Sequence, residues 1–439
     1  MSPSDPLARS LDLPCGVSIP NRLGKSAMTE GLAGVDGHAC DRHARLYRKW
    51  SEGGAGLSIT GNVMVDWRYL ERPGNVVVED RAGLDGLRAW AEAGTVGGNQ
   101  LWVQISHPGR QCSRMSNGHP VAPSAVQLRM AGFFGRPREL TADEIPALVG
   151  RYAATARIVQ EAGFTGVQVH GAHGYLISQF LSPRVNRRTD TWGGSLENRA
   201  RFLLEVVRAV RREVGAGFPV SVKLNSADFQ KGGFELADAA EVASMLAAEG
   251  VDLLEISGGT YERLRFFEAD DGAAEESPEA PRLAAGSAAR EAYFLRYAET
   301  IRERIGDMPL MVTGGFRSRR TMEDAVESGA VDLIGLARPL CVDPALPRAL
   351  LDGSITEATR WEDRLRLGPG PFGPTSPIKE VRGFNHQAAA AWFYRQILAL
   401  ADDRPQPTDL AARTALRLHL FGEARMAVAR RRAWARHRT

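Results

Sequence analysis

Eight short apolar runs, each followed by a longer segment of helical periodicity, constrain this chain more than any other feature. The runs cover residues 23–27, 57–63, 101–106, 165–170, 220–224, 253–257, 310–313 and 333–336. The helical segments fall at 42–52, 84–93, 144–162, 197–214, 236–249, 288–305, 320–328 and 344–351. Strands that read as near-continuous apolar runs are those buried on both faces, as parallel strands joined by helices are. Thr141-Ala-Asp-Glu144 has the form of a capping box, and Gly163, Gly215, Gly250 and Gly329 stand where helices should stop. The alternation predicts an α/β fold, a parallel (β/α)₈ TIM barrel. A doubly wound open sheet is the rival. It normally carries a glycine fingerprint after its first strand, where this chain has Met28-Thr29-Glu30-Gly31.

A barrel places its chemistry just past the C-terminal ends of its strands. Here those positions hold Ser26-Ala27-Met28-Thr29, Thr60-Gly61-Asn62, Gln104 with His107, His170 to Tyr175, Lys223, Ser257-Gly258-Gly259, Thr313-Gly314-Gly315 and Ala337-Arg338. Any one of them passes as turn chemistry; together they mark one rim. Gly314 and Gly315 let backbone N–H groups approach a phosphate, and Arg338 supplies a charge for it. Lys223 lies within an apolar strand run, where an ammonium is costly unless an anion faces it.

The run Val167-Gln-Val-His170-Gly-Ala-His173-Gly-Tyr175 carries three proton-bearing groups within six residues. Two imidazoles three apart can clamp one oxygen, and a phenol two residues on can deliver a proton beside it. Two plainer readings stand next to that one. The histidines can be satisfied core residues, or a zinc pair, although no further ligands sit at useful spacing. We expect no metal site.

Composition narrows the class. With 44% hydrophobic and 24% charged residues and a formal charge of +3 over 439 residues, the chain suits one barrel-sized domain plus an appendage. No run approaches the roughly 18 apolar residues that span a bilayer, and the N-terminus lacks the pattern of a secretory signal. Cys15, Cys40, Cys112 and Cys341 are far apart, forming neither a disulfide framework nor an iron–sulfur pattern. A cytoplasmic location is the expectation.

The expected domains are a barrel over 1–355, a Pro/Gly-rich linker or strap over 356–385, and a helical, Arg-rich C-terminal extension over 386–439. Helices are predicted at 386–401 and 410–436. Two loops on the rim, 107–140 and 258–287, are long enough to serve as lids or binding loops. In the second, Tyr261, Phe266 and Phe267 suit a pocket wall, and the acids that follow suit a solvated segment.

From His170 to Phe202 the chain reads His-Gly-Ala-His-Gly-Tyr-Leu-Ile-Ser-Gln-Phe-Leu-Ser-Pro-Arg-Val-Asn-Arg-Arg-Thr-Asp-Thr-Trp-Gly-Gly-Ser-Leu-Glu-Asn-Arg-Ala-Arg-Phe. With Asn21-Arg22, Val103-Gln-Ile-Ser-His-Pro-Gly-Arg110, Thr313-Gly-Gly315 and Gly335-Leu-Ala-Arg-Pro339, in this order, it resembles the old yellow enzyme family over residues 5–352. The resemblance implies non-covalent FMN in the barrel, reduced by NADH or NADPH. It places Ala27, Met28, Thr29, Gly61 and Gln104 against the flavin ring, with Gln104 on its pyrimidine edge and Thr29 near O4. Lys223 falls near N1 and O2, and Gly314, Gly315, Ala337 and Arg338 fall at the phosphate. His170 and His173 would hold the oxygen of an unsaturated carbonyl acceptor, a small molecule, while Tyr175 protonates its α-carbon. Reaction with O₂ or a quinone is the alternative within the same chemistry. A binder of anionic surfaces through the basic C-terminal helix is the alternative outside it; we expect neither a nucleic-acid nor a membrane partner. A homo-oligomer is compatible with the sequence, which fixes none.

Overall fold

The computed structural model describes residues 5–128, 134–228, 232–257 and 297–437, with side chains except at 379 and 434–437. Eight parallel strands close into a barrel: β1 (Leu23–Lys25), β2 (Leu57–Met64), β3 (Gln100–Ser106), β4 (Gly166–Gly171), β5 (Val220–Asn225), β6 (Leu253–Ser257), β7 (Leu310–Thr313) and β8 (Leu333–Leu336). Each pairs with its sequence neighbours, and β8 returns to β1, so no edge is left open. The predicted barrel is the observed one.

Helices pack outside the strands: α1 (Asp41–Glu52), α2 (Leu84–Ala93), α3 (Glu144–Glu161), α4 (Leu196–Val214), α5 (Leu236–Ala248), α6 (described over 297–305), α7 (Arg319–Glu327) and α8 (Leu346–Asp352). The large core lies between these helices and the strands. A second, smaller core fills the lower barrel, where Leu57, Leu253 and Leu333 at the strand starts meet Ile59, Trp102 and Met311. The hairpin Leu11–Asp12 with Ser18–Ile19 plugs that end through Leu11, Leu13 and Ile19. One end of the barrel is therefore sealed and apolar, which leaves the other for chemistry.

Most strand ends fall within one residue of expectation, and the first two strands depart furthest from a plain ladder. Strand β1 ends at Lys25 rather than residue 27, although Ser26 N still donates to Leu336 O at 2.8 Å. Strands β2 and β3 shift register between Ile59 and Asn62. There Gly61 N leaves the ladder and donates to Glu30 Oε1 at 2.9 Å. A Cβ on Gly61 would lie 2.5 Å from Met28 O, so only glycine fits this bulge.

Beyond α8 the chain stays on the barrel. Two single turns, Trp361–Arg364 and Gly370–Phe372, precede α9 (Lys379–Ala401) and α10 (Ala412–His437). Helix α9 begins at Lys379, inside the stretch expected as linker, because Asn385 ties its first turns down. The Asn385 side chain accepts from Leu367 N at 2.8 Å and donates to Phe372 O at 3.0 Å. Helix α9 then docks on α1, with Arg42 Nε on Asp402 Oδ1 at 2.7 Å and Lys49 Nζ on Leu400 O at 2.8 Å.

Helix α10 turns back to the rim. Arg72, on the loop after β2, is buried with Glu423 Oε1 at 2.7 Å and the Tyr394 ring at 4.1 Å from its guanidinium. Arg430 Nη1 donates to Pro73 O at 2.6 Å, and Arg431 Nη2 to Met115 O at 2.8 Å. These two arginines of the basic helix donate to the chain's own carbonyls. Replacing Glu423 with Ala leaves Arg72 as a buried, unpaired cation, and chemical denaturation should record a loss of about 3 kcal/mol.

Candidate active site

The open end of the barrel is lined by polar side chains in register. His170 is the neighbour of Lys223 across β4 and β5, Lys223 of Glu255 across β5 and β6, and Gln104 of Gln168 across β3 and β4. Lys223 Nζ meets Glu255 Oε1 at 2.9 Å, both fully enclosed. The anion demanded by a buried lysine is therefore a side chain of the next strand. Gln168 Nε2 reaches Glu255 Oε2 at 2.8 Å, and Gln104 Nε2 reaches Gln168 Oε1 at 2.8 Å. Thr313 Oγ1 donates to Glu255 at 2.6 Å and stands 2.6 Å from Ser26 Oγ.

Above this layer the end of β4 folds over. His173 has φ of 61°, a left-handed turn uncommon outside glycine, held where its N–H donates to Asn225 Oδ1 at 3.0 Å. The turn brings the His170 and His173 rings to 5.1 Å and the His170 and Tyr175 rings to 4.8 Å, both edge to face. Ser257 Oγ lies 2.6 Å from His173 Nε2. Tyr175 opens the short helix Leu176–Leu181, whose first N–H donates to His107 O at 3.0 Å. The three residues singled out from sequence thus share one corner.

Burial holds His170 and His173 well below the ordinary imidazole value, and Lys223 adds repulsion to each. The pair is neutral. His170 Nδ1 accepts from Ala172 N at 3.3 Å, so its ring proton sits on Nε2, a donor turned away from that turn. Among the described residues no group of three His, Cys, Asp or Glu gathers in the way a metal site needs.

The first strands contribute the adjacent wall. Ala27 and Met28 are partly exposed, with Met28 Sδ 3.3 Å from the buried Cys341. Thr29 Oγ1 donates to Asn62 Oδ1 at 2.8 Å, and Asn62 Nδ2 donates to Glu71 Oε2 at 3.1 Å. Behind this wall Glu30 takes a hydrogen bond from Tyr47, and Lys25 donates to Ile59 O at 2.6 Å. Burial lowers the Lys25 ammonium to about 8.

Strands β7 and β8 form the far corner. Gly314 and Gly315 have φ of 138° and 82°, backbone that side chains rarely adopt. Ala337 leads into the single turn Arg338–Cys341, and the Arg338 side chain is 46% exposed. Glu362, from the strap beyond α8, lies 3.7 Å from Arg338 and 2.5 Å from Arg317. A groove of about 1120 Å³ between α3 and α4, with Arg157, Arg201 and Trp192 in its walls, lies outside the barrel and touches none of these residues.

Residues 15–357 match the family model described as NADH:flavin oxidoreductase / NADH oxidase. The chain belongs to that family. An NADH-dependent flavin oxidoreductase of Hypocrea jecorina is 39% identical over 78% of this chain and 88% of its own length. Another, of Talaromyces variabilis, is 37% identical over 90% of this chain and 98% of its own. Among solved structures, the old yellow enzyme homologue from Zymomonas mobilis superposes with TM-score 0.66 at 26% identity, covering 80% of this chain and 94% of that one. The family is that of the old yellow enzymes, and the chain is an oxidoreductase that uses FMN with NAD(P)H as reductant.

The donor set fits FMN. Lys223 and the Gln104 amide stand at one side of the open end, suited to a polar ring edge, and the Gly314–Gly315 backbone with Arg338 stands at another, suited to a phosphate. The sequence reading missed Glu255, Gln168 and Glu362, and placed Ser257 on the rim without a partner. Glu255 carries the signal that exposed Lys223, a charge inside an apolar run. Glu362 carried none, since its place depends on how the strap folds back. The loop 258–287, with Tyr261, Phe266 and Phe267, lies outside the described residues, as does the start of the helix expected at 288–305.

The neutral histidines give a pH prediction. His43, His107 and His170 are buried, with the first two lowered to about 3 and about 4. Each binds no proton in the fold near pH 6, whereas the unfolded chain does. Their stabilisation is complete above about pH 6.5 and is lost as pH falls, at up to about 1.4 kcal/mol per histidine per pH unit. Denaturation midpoints should drop between about pH 7 and pH 5; in the variant His170→Asn the slope should flatten by one proton.

Proposed function

We propose that this oxidoreductase reduces electron-poor alkenes, an α,β-unsaturated carbonyl or a similar small molecule. The observation that carries the reading is the corner of His170, His173 and Tyr175, three neutral proton-bearing rings within about 5 Å of one another at the open end. Bound FMN would supply the hydride chemistry, with NADH or NADPH as the source and the acceptor's β-carbon as the destination. The protein supplies position and electrostatics.

Lys223 and Gln104 would hold the pyrimidine edge, while Ala27, Met28, Thr29 and Gly61 would lie against the ring. Gly314, Gly315, Ala337 and Arg338 would hold the phosphate. His170 Nε2–H and His173, the latter braced by Ser257, would bind the acceptor's oxygen. Their hydrogen bonds strengthen as negative charge develops on that oxygen, and being neutral they do not neutralise it beforehand. Tyr175 then gives its phenolic proton to the α-carbon and recovers one from solvent. The product gains one hydride and one proton, which balances the loss of hydride by the nicotinamide and the proton from solvent.

Anaerobic titration tests the class: NADH or NADPH should bleach the flavin, and an enone should restore its colour. Tyr175→Phe separates the two half-reactions. Flavin reduction should proceed nearly unchanged, and enone reduction should slow about 10²–10⁴-fold, with a quinone acceptor much less affected. Stopped-flow traces showing equal slowing of both half-reactions would assign Tyr175 to pocket shape instead. Arg338→Ala should weaken FMN retention, read as flavin released on gel filtration.

A further inference from the structure

Glu255 is fully enclosed by the barrel, and its two oxygens receive three donors. Lys223 and Thr313 donate to Oε1 at 2.9 and 2.6 Å, and Gln168 donates to Oε2 at 2.8 Å. The direction of every bond in the surrounding layer follows from that carboxylate. Paired with an ammonium, it offers only acceptors. Gln168 must then turn its NH₂ toward Glu255, which leaves its carbonyl facing Gln104. Gln104 must present NH₂ to that carbonyl, at 2.8 Å. Its own Oε1 is thereby fixed on the opposite side of the amide. Thr313 likewise gives its single O–H to Glu255, so Ser26 must donate to Thr313. An amide turned over fills the same space, so packing alone does not choose between its two orientations.

We infer that Glu255 is a positioning residue for the cofactor, acting through Gln168 to fix which atoms of Gln104 face it. The inference rests on the reading that FMN binds with its pyrimidine edge at Gln104. With the relay intact, Gln104 offers an acceptor oxygen beside its remaining N–H. That is the complement of an imide edge, where an N–H stands next to a carbonyl. With the relay broken, Gln104 can turn and meet the imide N–H with a second donor, leaving both unpaired.

The test uses the full chain, stripped of FMN and titrated with FMN alone. Two readouts are taken: the dissociation constant from flavin fluorescence, and the pH at which the imide proton of bound FMN leaves, followed by absorbance. Glu255→Gln removes the acceptor-only end of the relay and the charge beside Lys223. Gln168→Met cuts the relay and leaves that charge in place. In the wild type the imide proton, held by Gln104 Oε1, should leave at higher pH than from free FMN. In both variants the dissociation constant should rise about tenfold, the worth of one hydrogen bond, and the imide titration should move back toward that of free FMN. A Gln168→Met protein with the wild-type constant and the wild-type imide titration overturns the inference, whatever Glu255→Gln does. Should Glu255→Gln fail to fold, Gln168→Met alone decides. A wild-type protein that takes up no FMN overturns the cofactor reading itself, a separate failure.

Discussion

A carboxylate enclosed in a barrel must be met by donors, and the upper interior of this barrel is arranged around the donors that meet Glu255. Removing two ions from water costs several kcal/mol each, which their attraction repays only with good geometry and further hydrogen bonds. Lys223, Thr313 and Gln168 provide them from the strands on either side and beyond. The requirement divides the barrel in two. Below, Leu57, Leu253, Met311 and Leu333 pack dry against the N-terminal hairpin. Above, every strand from β3 to β7 sends in a group that must hydrogen-bond. Glycine at 335 belongs to the same arrangement, since a Cβ there would collide with Thr313 Oγ1.

The division also sets the electrostatics of the open end. Lys223 is matched by Glu255, and burial keeps His170 and His173 neutral. What the β4 corner presents is oriented dipoles, not net charge. Such donors gain most when charge appears during reaction, because they need no reorganisation. Arg338, past β8, carries a formal positive charge that reaches solvent, with Glu362 3.7 Å away.

The fold was legible because each strand of a closed parallel barrel is buried on both sides and each crossover is a helix, so the alternation leaves little choice. The rim was legible for the same reason: a barrel puts strand ends together, which places His170, Lys223, Gln104 and Gly314 at one end from the sequence pattern alone. What pairs with what was not. Lys223 called for an anion, but nothing local names Glu255, 32 residues on, as that anion. The bulge at Gly61 and the left-handed turn at His173 depend on Glu30 and Asn225, contacts made only when distant segments meet. The strap and α10 were hardest, since Gly383 and the prolines before it mask the start of α9.

Helix α10 gives the rim a place in time as well as in space. Arg72 and Glu423 are 351 residues apart, and the last barrel strand ends at Leu336. During synthesis the eight strands are complete about ninety residues before Glu423 emerges, an interval of several seconds at roughly 5–20 residues per second. The barrel is free to close in that interval, while the loop bearing Arg72 waits with its cation in water. The mouth of the barrel thus sets later than its strands: the loop bearing Arg72 locks only when helix α10 arrives.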